Sequence, residues 1–367
     1  MRIYLVGAGV IARHHAAAAQ HLPVPLEIEI VVADPNPGAV EAFLVEHPDA
    51  RVCTDSAAML SEPARDDDVV VVAVPPFAHA PLTVEALASG RHVLCEKPLA
   101  TTAAEADTML AAARRVGKLL GCCSSRFLGY ASTEEAKRVV ASGELGPIYH
   151  ATFVHRQQRR RTGIEYQPET PWFVDRSRSG GGVLMDWSPY DITTLNHVLS
   201  PVQIDVLAAW TANPETCLDL PPGIIADVEQ HVAATLRYTL PDGTTPTVTF
   251  ERAACTHGGE RSTVEVEGTR GAVAWDWLDW VGTGSVSVSR DLDGQIRTET
   301  STPAPINNLF VHHRPLVDFV KAVRGEPSYA VLGERAVFNF ETLQAIYAAT
   351  ESGRPQVVEL RSSPSPS

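Results

Sequence analysis

Cysteine is sparse in this chain and carries no pattern. Six are present among 367 residues, at Cys53, Cys95, Cys122, Cys123, Cys217 and Cys255, and none forms a C-x-x-C pair. A disulfide framework is not expected in so long and cysteine-poor a chain, and the thiols read as buried and free. Cys122 and Cys123 are adjacent in an apolar run, so on a strand they point to opposite faces. Positive charge is also short: 30 Lys and Arg against 44 Asp and Glu leave a formal net charge of −14. That balance argues against a general nucleic-acid or membrane-surface binder, since such proteins present fields of positive charge. No apolar run is long enough to cross a membrane. Met1-Arg2 leads straight into Ile3-Tyr4-Leu5-Val6 and then glycines, too short a stretch for a signal-peptide core, so the cytoplasm is the expected location. There is no internal repeat. His14-His15 and His312-His313 are adjacent pairs without metal-ligand spacing, and no metal is expected.

What is present is ordinary globular material, 44% hydrophobic and 20% charged, in a length that suggests two domains. The first third alternates short apolar runs with helix-compatible stretches. Strands are expected at Ile3 to Val6, Ile28 to Ala33, Val69 to Val74, His92 to Cys95 and Leu119 to Cys123. Helices are expected at Val10 to Gln20, Ala39 to Glu46, His79 to Ser89 and Thr102 to Val116. The run Val69 to Val74 has no polar alternation, as befits a strand buried on both faces of a parallel sheet. Strands alternating with helices imply βαβ units. Further on, Ile148 to His155, Gln203 to Trp210, His231 to Tyr238, Thr247 to Arg252 and Thr263 to Glu267 read as longer strands of alternating polarity. Asp242-Gly243 makes a hairpin turn between two of them. Helices near Phe310 to Val323 and Glu334 to Thr350 close the chain. The expected organisation is an α/β Rossmann domain over 1–125 with a doubly wound parallel sheet. A mostly antiparallel open-sheet α+β domain for substrate binding and oligomerisation follows over 126–361, then a disordered tail over 362–367.

Gly7-Ala8-Gly9-Val10-Ile11-Ala12 lies between the first strand and the first helix and has the form G-x-G-x-x-A. Gly7 permits the tight turn, Gly9 lets backbone approach a pyrophosphate, and Ala12 is small enough for helix-on-sheet packing. The helix start, with Val10 and Ile11, offers free N–H groups and a positive dipole end to phosphates. Asp34 ends the second strand, where a carboxylate accepts from the adenosine ribose hydroxyls and repels a 2′-phosphate. A turn-forming aspartate before Pro35 is the other natural use of this residue. NAD is the expected cofactor, with Arg13 keeping NADP open. Glu96-Lys97-Pro98 follows the strand His92 to Cys95. A lysine there is sited to donate to a substrate hydroxyl and to favour an alkoxide-like oxygen as hydride leaves.

These segments, with Val74-Pro75-Pro76-Phe77-Ala78-His79 and Gly180-Gly181-Gly182-Val183-Leu184-Met185-Asp186, resemble the glucose–fructose oxidoreductase/inositol dehydrogenase family. The closing segment from His313 to Val358 also has that family's two-helix and strand ending, so the resemblance covers nearly the whole chain. It implies that Lys97 is the catalytic lysine, with a cis bond before Pro98, and that Pro75, His79 and Glu96 line the cofactor. It places Arg126 near the nicotinamide side and Trp172 at the cofactor's border. The family often has arginine after that tryptophan, where this chain has Phe173. The family's pattern D-x-G-x-H-x-x-D becomes Asp186-Trp187-Ser188-Pro189-Tyr190-Asp191-Ile192-Thr193. Asp186 is retained and Tyr190 replaces the histidine, as in the glucose–fructose oxidoreductase branch and some ketosugar reductases.

Locally, Ser188-Pro189 reads as a helix start, with Asp191 in a capping-box role. Tyr190 then falls in the first turn, where a neighbouring ammonium such as Lys97 would ease proton transfer. The expected catalytic set is Lys97, Asp186 and Tyr190. The expected reaction moves hydride between a nicotinamide and a carbinol or keto carbon of a sugar, cyclitol or related polyol. The alternative is a catalytically silent NAD(P)-binding sensor of the same fold. The cluster Arg156, Arg159, Arg160 and Arg161 reads as a solvated loop or subunit contact, or as a site for an anionic substrate. Trp275, Trp277 and Trp280 read as core or interface packing. A homodimer or homotetramer is expected, without nucleic-acid or membrane partners.

Overall fold

The computed structural model describes residues 1–22, 27–158, 170–214, 223–278 and 284–362. Arg159, Arg160, Arg161, Trp280, Cys217 and residues 363–367 of the expected tail lie outside the described residues. The chain forms two units, Met1–Arg126 with Leu309–Phe340, and Phe127–Asn308 with Glu341–Ser367. Residues 309–340, expected to follow on within the second domain, group with the first unit. Among the described residues, no helix is long and apolar enough to cross a membrane.

The first unit is built on a seven-stranded sheet. Its order is Val331–Leu332, Leu120–Cys122, His92–Cys95, Val69–Val72, Arg2–Val6, Glu29–Ala33 and Arg51–Val52. The six strands from the N-terminal segment are all parallel, and Val331–Leu332 is antiparallel to Leu120–Cys122. Val69–Val72 is wholly buried, which explains its lack of polar alternation. The chain runs outward in one direction from Arg2–Val6 and in the other from Val69–Val72, so the topological switch point lies between these two strands. The loops leaving the same edge carry Gly7, Asp34, Val74-Pro75 and Glu96-Lys97. The segment 309–340 returns because the helix Arg314–Val323 has a sheet face to cover. Leu316, Phe319 and Val320 join the core of Ile3, Leu5 and Ala12. A Cβ on Gly121 would lie 2.6 Å from the Phe319 ring, so the bare strand backbone is what admits that ring.

The second unit holds a nine-stranded sheet. Its order is Gln295–Ser301, Val286–Leu292, Gly271–Trp275, Arg261–Gly268, Ile148–Gln158, Thr247–Thr256, His231–Thr239, Gln203–Ala212 and Gln356–Glu359. All neighbours are antiparallel except Ile148–Gln158 with Thr247–Thr256. Burial alternates along His231–Thr239, as in a sheet with one covered and one solvated face. Asp242-Gly243 turns the expected hairpin, with Gly243 at φ 83° and the Asp242 side chain accepting from the Thr244 N–H at 2.9 Å. A second hairpin, Val286–Leu292 with Gln295–Ser301, turns on Asp293-Gly294, both at positive φ. The same dipeptide signal announces it, although the sequence reading placed no strands there.

Candidate functional site

In the first unit, Gly7 sits at φ 105°, and a Cβ there would lie 2.4 Å from the Ala73 carbonyl oxygen, so only glycine makes this turn. Gly9 faces open space, with no atom within 4 Å of where a Cβ would stand. The helix Val10–Ala18 begins there with no side-chain cap and no acidic residue in its first turn. Val10 is 54% exposed. An uncapped helix start behind a bare glycine backbone is the arrangement a pyrophosphate fits. The Asp34 carboxylate accepts from the Ala8 N–H at 2.8 Å and the Asn36 N–H at 2.7 Å. It ties the glycine turn to the second strand and holds a negative charge at the sheet edge. Arg13 is engaged by Glu46 at 2.8 Å.

Lys97 is half-buried and precedes a cis peptide bond to Pro98. Its turn is braced from below. Glu96 is 5% exposed, and its carboxylate accepts from Arg126 Nη2 at 2.8 Å, His15 Nε2 at 3.0 Å and the Lys97 N–H at 3.1 Å. Burial pushes this carboxyl up, but Arg126, His15 and Lys97 together hold it well below the usual carboxylate range. The Cys123 thiol lies 3.9 Å from His15 Nε2. Ligand atoms of His15, Glu96 and Cys123 lie within 4.8 Å of one another. A cation there would compete with the Arg126 guanidinium for Glu96. Burial also pushes the Cys123 thiol well above its ordinary value, which keeps it protonated. His79 is fully buried between two turns, with Nδ1 2.7 Å from the Pro98 carbonyl and Nε2 2.8 Å from that of Val74. Glu96, Arg126 and His79, assigned by resemblance to the cofactor's surroundings, therefore commit these polar contacts to the lysine turn and, through His79 Nε2, to the Val74 turn beside it.

Beside the first helix, imidazoles pack on one another. His14 stacks on His312 at 4.8 Å between centroids, His21 lies 5.1 Å from His313, and Phe310 joins them at 5.0 Å from His312. Burial, reinforced by Arg126 and the other imidazoles, lowers His312 to about 3. Burial and its histidine neighbours lower His313 to about 4. Both rings stay neutral in the folded chain while the unfolded chain takes up protons below about pH 6.5. Stability is therefore lost as pH falls from about 6.5 towards 4. Melting temperatures between pH 6.5 and 5, above the range where carboxylates protonate, should fall in wild type. They should fall less steeply in His312→Gln/His313→Gln, and parallel slopes would refute this account.

In the second unit, the glycine run ends in a short helix, Val183–Asp186, that carries Asp186 half-buried at its last position. The helix Ser188–Leu199 follows, with Pro189 in its first turn and no side-chain cap. Tyr190 is 3% exposed, and its ring meets Phe127 edge-on at 4.9 Å and Trp187 at 6.0 Å. Asp191 does not serve as a capping residue as expected. Its carboxylate accepts from Arg252 Nε at 2.7 Å and from Arg252 Nη2. Trp172 lies in the turn Pro171–Val174 and stacks on Phe173 at 4.0 Å. Of the expected arginine cluster, Arg156 lies 3.4 Å from Glu251. Trp275 and Trp277 are buried in the core. Sequence reasoning missed His15, Glu229 and Arg252. His15 had a detectable signal, because it falls on the buried stripe Ala12, His15, Ala16 of its helix.

A doubly wound parallel sheet with a bare glycine turn, an acidic second-strand end and a braced lysine turn defines a dinucleotide-binding unit, here carried with an open-sheet unit. The sequence bears the same relation to known proteins. The family described as "Oxidoreductase family, NAD-binding Rossmann fold" matches residues 1–123, and "GFO/IDH/MocA C-terminal domain" matches residues 133–274. The chain belongs to this Gfo/Idh/MocA oxidoreductase family. It is 25% identical to 1,5-anhydro-D-fructose reductase of Ensifer adhaerens over 97% of this chain and 98% of that one. It is 32% identical to D-glucoside 3-dehydrogenase of Escherichia coli over 54% of each. The fold matches levoglucosan dehydrogenase in complex with NADH and levoglucosan, with TM-score 0.77 and 19% identity, over 98% of this chain and 100% of that one.

Proposed function

We propose that this chain is an NAD(H)-dependent oxidoreductase acting on a CH–OH or keto carbon of a sugar or related polyol. The observation that carries this reading is the lysine turn. Lys97 stands at the ligand edge of the parallel sheet, on a turn held by Glu96, His15, Arg126 and His79. So much buried polar structure spent on one turn fits a residue that must be placed within a narrow range. Full-length similarity to a reductase named for an anhydrosugar, and partial similarity to a dehydrogenase named for glucosides, support the substrate class.

Nicotinamide, when bound, supplies or accepts the hydride. Gly9, Val10 and Ile11 would receive the pyrophosphate on backbone N–H groups, with Gly7, whose own N–H goes to the Ala33 carbonyl at 2.8 Å, making the turn, and Asp34 would accept from the adenosine ribose. Pro75 would border the cofactor, as would Trp172 by the family resemblance. Lys97 would polarise the substrate oxygen, Tyr190 would exchange the hydroxyl proton, and Asp186 would orient the substrate through hydrogen bonds.

The test is nicotinamide absorbance with NADH and NADPH against 1,5-anhydro-D-fructose, and with NAD+ and NADP+ against levoglucosan, D-glucose, methyl glucoside and myo-inositol. Turnover of at least one sugar is expected. Cofactor binding with no turnover across the panel would favour the silent sensor. NADH is expected to be the better cofactor, because the Asp34 carboxylate repels a 2′-phosphate. Asp34→Ser should raise kcat/KM for NADPH relative to NADH by about tenfold, the scale of one charged contact. An unchanged ratio would remove Asp34 from cofactor choice.

A further inference from the structure

We infer that Glu229, together with Tyr347, is a positioning residue for Asp186: it fixes the glycine run and the short helix from which the aspartate projects. The inference rests on the reading that Asp186 takes part in turnover.

A helix start leaves peptide N–H groups without partners, and Val183–Asp186 has no side chain of its own to cap them. One residue, 47 positions downstream, supplies the acceptors. Glu229 Oε1 accepts from the Gly182 N–H at 3.0 Å and the Leu184 N–H at 3.0 Å. Oε2 shares the Gly182 N–H at 3.0 Å, and the Glu229 carbonyl accepts from the Val183 N–H at 3.0 Å. The Met185 and Asp186 N–H groups go to the Gly182 carbonyl at 3.0 and 2.9 Å. Every peptide N–H from 182 to 186 is thus satisfied, and those of 182, 183 and 184 rest on Glu229.

The fit is close enough to dictate the sequence. A Cβ on Gly182 would stand 1.8 Å from the Glu229 carbonyl oxygen, and one on Gly181 would stand 1.9 Å from Tyr347 Oη. The glycine run is therefore shaped to this clamp. Tyr347 donates to Glu229 Oε1 at 2.8 Å. Burial, with the Glu229 charge beside it, pushes its phenol well above the ordinary value, so it remains a donor. The clamp has a rigid base, because the next residue, Gln230, bonds Ala212 and Ala254 on the two flanking strands, each at 3.0 Å. Position is thereby passed from sheet to carboxylate to helix to Asp186.

The experiment measures kcat and KM with whichever sugar of the panel above turns over fastest, and amide hydrogen exchange at 182–184. The variants are Glu229→Gln, Tyr347→Phe, Asp186→Asn and Asp186→Asn/Glu229→Gln. Glu229→Gln should lower kcat by about 10²-fold, the cost of misplacing a reacting group by about 1 Å. KM should stay within about threefold, and the dissociation constant of NADH should be unchanged. In the Asp186→Asn background the same change should lower kcat by no more than about twofold, because residues acting as a unit are not additive. Tyr347→Phe, the milder change, should lower kcat about threefold and speed exchange at 182 and 184. Multiplicative losses in the double variant would show that Glu229 acts independently of Asp186 and overturn the inference. So would wild-type kcat in Glu229→Gln, or unchanged exchange in both clamp variants. Wild-type kcat in Asp186→Asn would instead remove Asp186 from the reaction, and the inference with it, while the proposed substrate class stood.

Discussion

Lys97→Ala is expected to lower kcat/KM by about 10²- to 10⁴-fold, the range in which a group acting on a transferring proton or a developing oxyanion contributes. The loss should be chemical rather than structural. The turn is held through the Glu96 carboxylate, the Lys97 peptide N–H and the Pro98 carbonyl, none of which the substitution removes. The dissociation constant of NADH, followed by its fluorescence, should therefore change little, and the melting temperature should match wild type. Lys97→Arg should also be impaired, since a planar guanidinium does not reproduce a compact ammonium at the end of a flexible stem. Truncation within about threefold of wild-type kcat/KM would remove the lysine from the chemistry and leave its turn without a purpose.

The features legible in the sequence were those with a local physical cause. Val69–Val72 declared a strand buried on both faces by composition alone, and Gly7 declared a turn that a side chain would block. Asp242-Gly243 declared its hairpin, and Asp293-Gly294 carries the same signal for another. What was not legible depended on distant partners. Nothing local in Leu309–Phe340 says that Phe319 will lie over Gly121, or that the two residues Val331–Leu332 will extend the first sheet. At the site, Lys97 and Asp186 stood out by motif, but their supports did not. His15 reaches Glu96 across 81 positions, and Glu229 reaches Gly182 across 47. Hydrogen bonds of that span leave no periodicity to read. Asp191 shows the consequence. Its position three residues after Ser188 suggested a local cap, whereas its partner, Arg252, lies 61 positions away.

That pair should be costly to break. Asp191 and Arg252 are 0% and 1% exposed, and the guanidinium lies 5.3 Å from the Trp187 ring centroid and 5.4 Å from that of Trp277. The helix Ser188–Leu199 and the strand Thr247–Thr256 are joined through it. Burying two charges costs several kcal/mol apiece, and their mutual attraction with two parallel hydrogen bonds offsets that cost only while both are present. Asp191→Ala leaves a guanidinium in the core without its carboxylate and should destabilise the fold by about 3–5 kcal/mol, measured as a lower urea midpoint at constant m. Asp191→Leu/Arg252→Met removes both charges while keeping most of the volume, and should recover the larger part of that loss. If the double variant were as unstable as the single one, packing between the tryptophans, and not the orphaned charge, would be the dominant contribution of Arg252. A single variant within about 1 kcal/mol of wild type would mean that water reaches Arg252 once the carboxylate is gone.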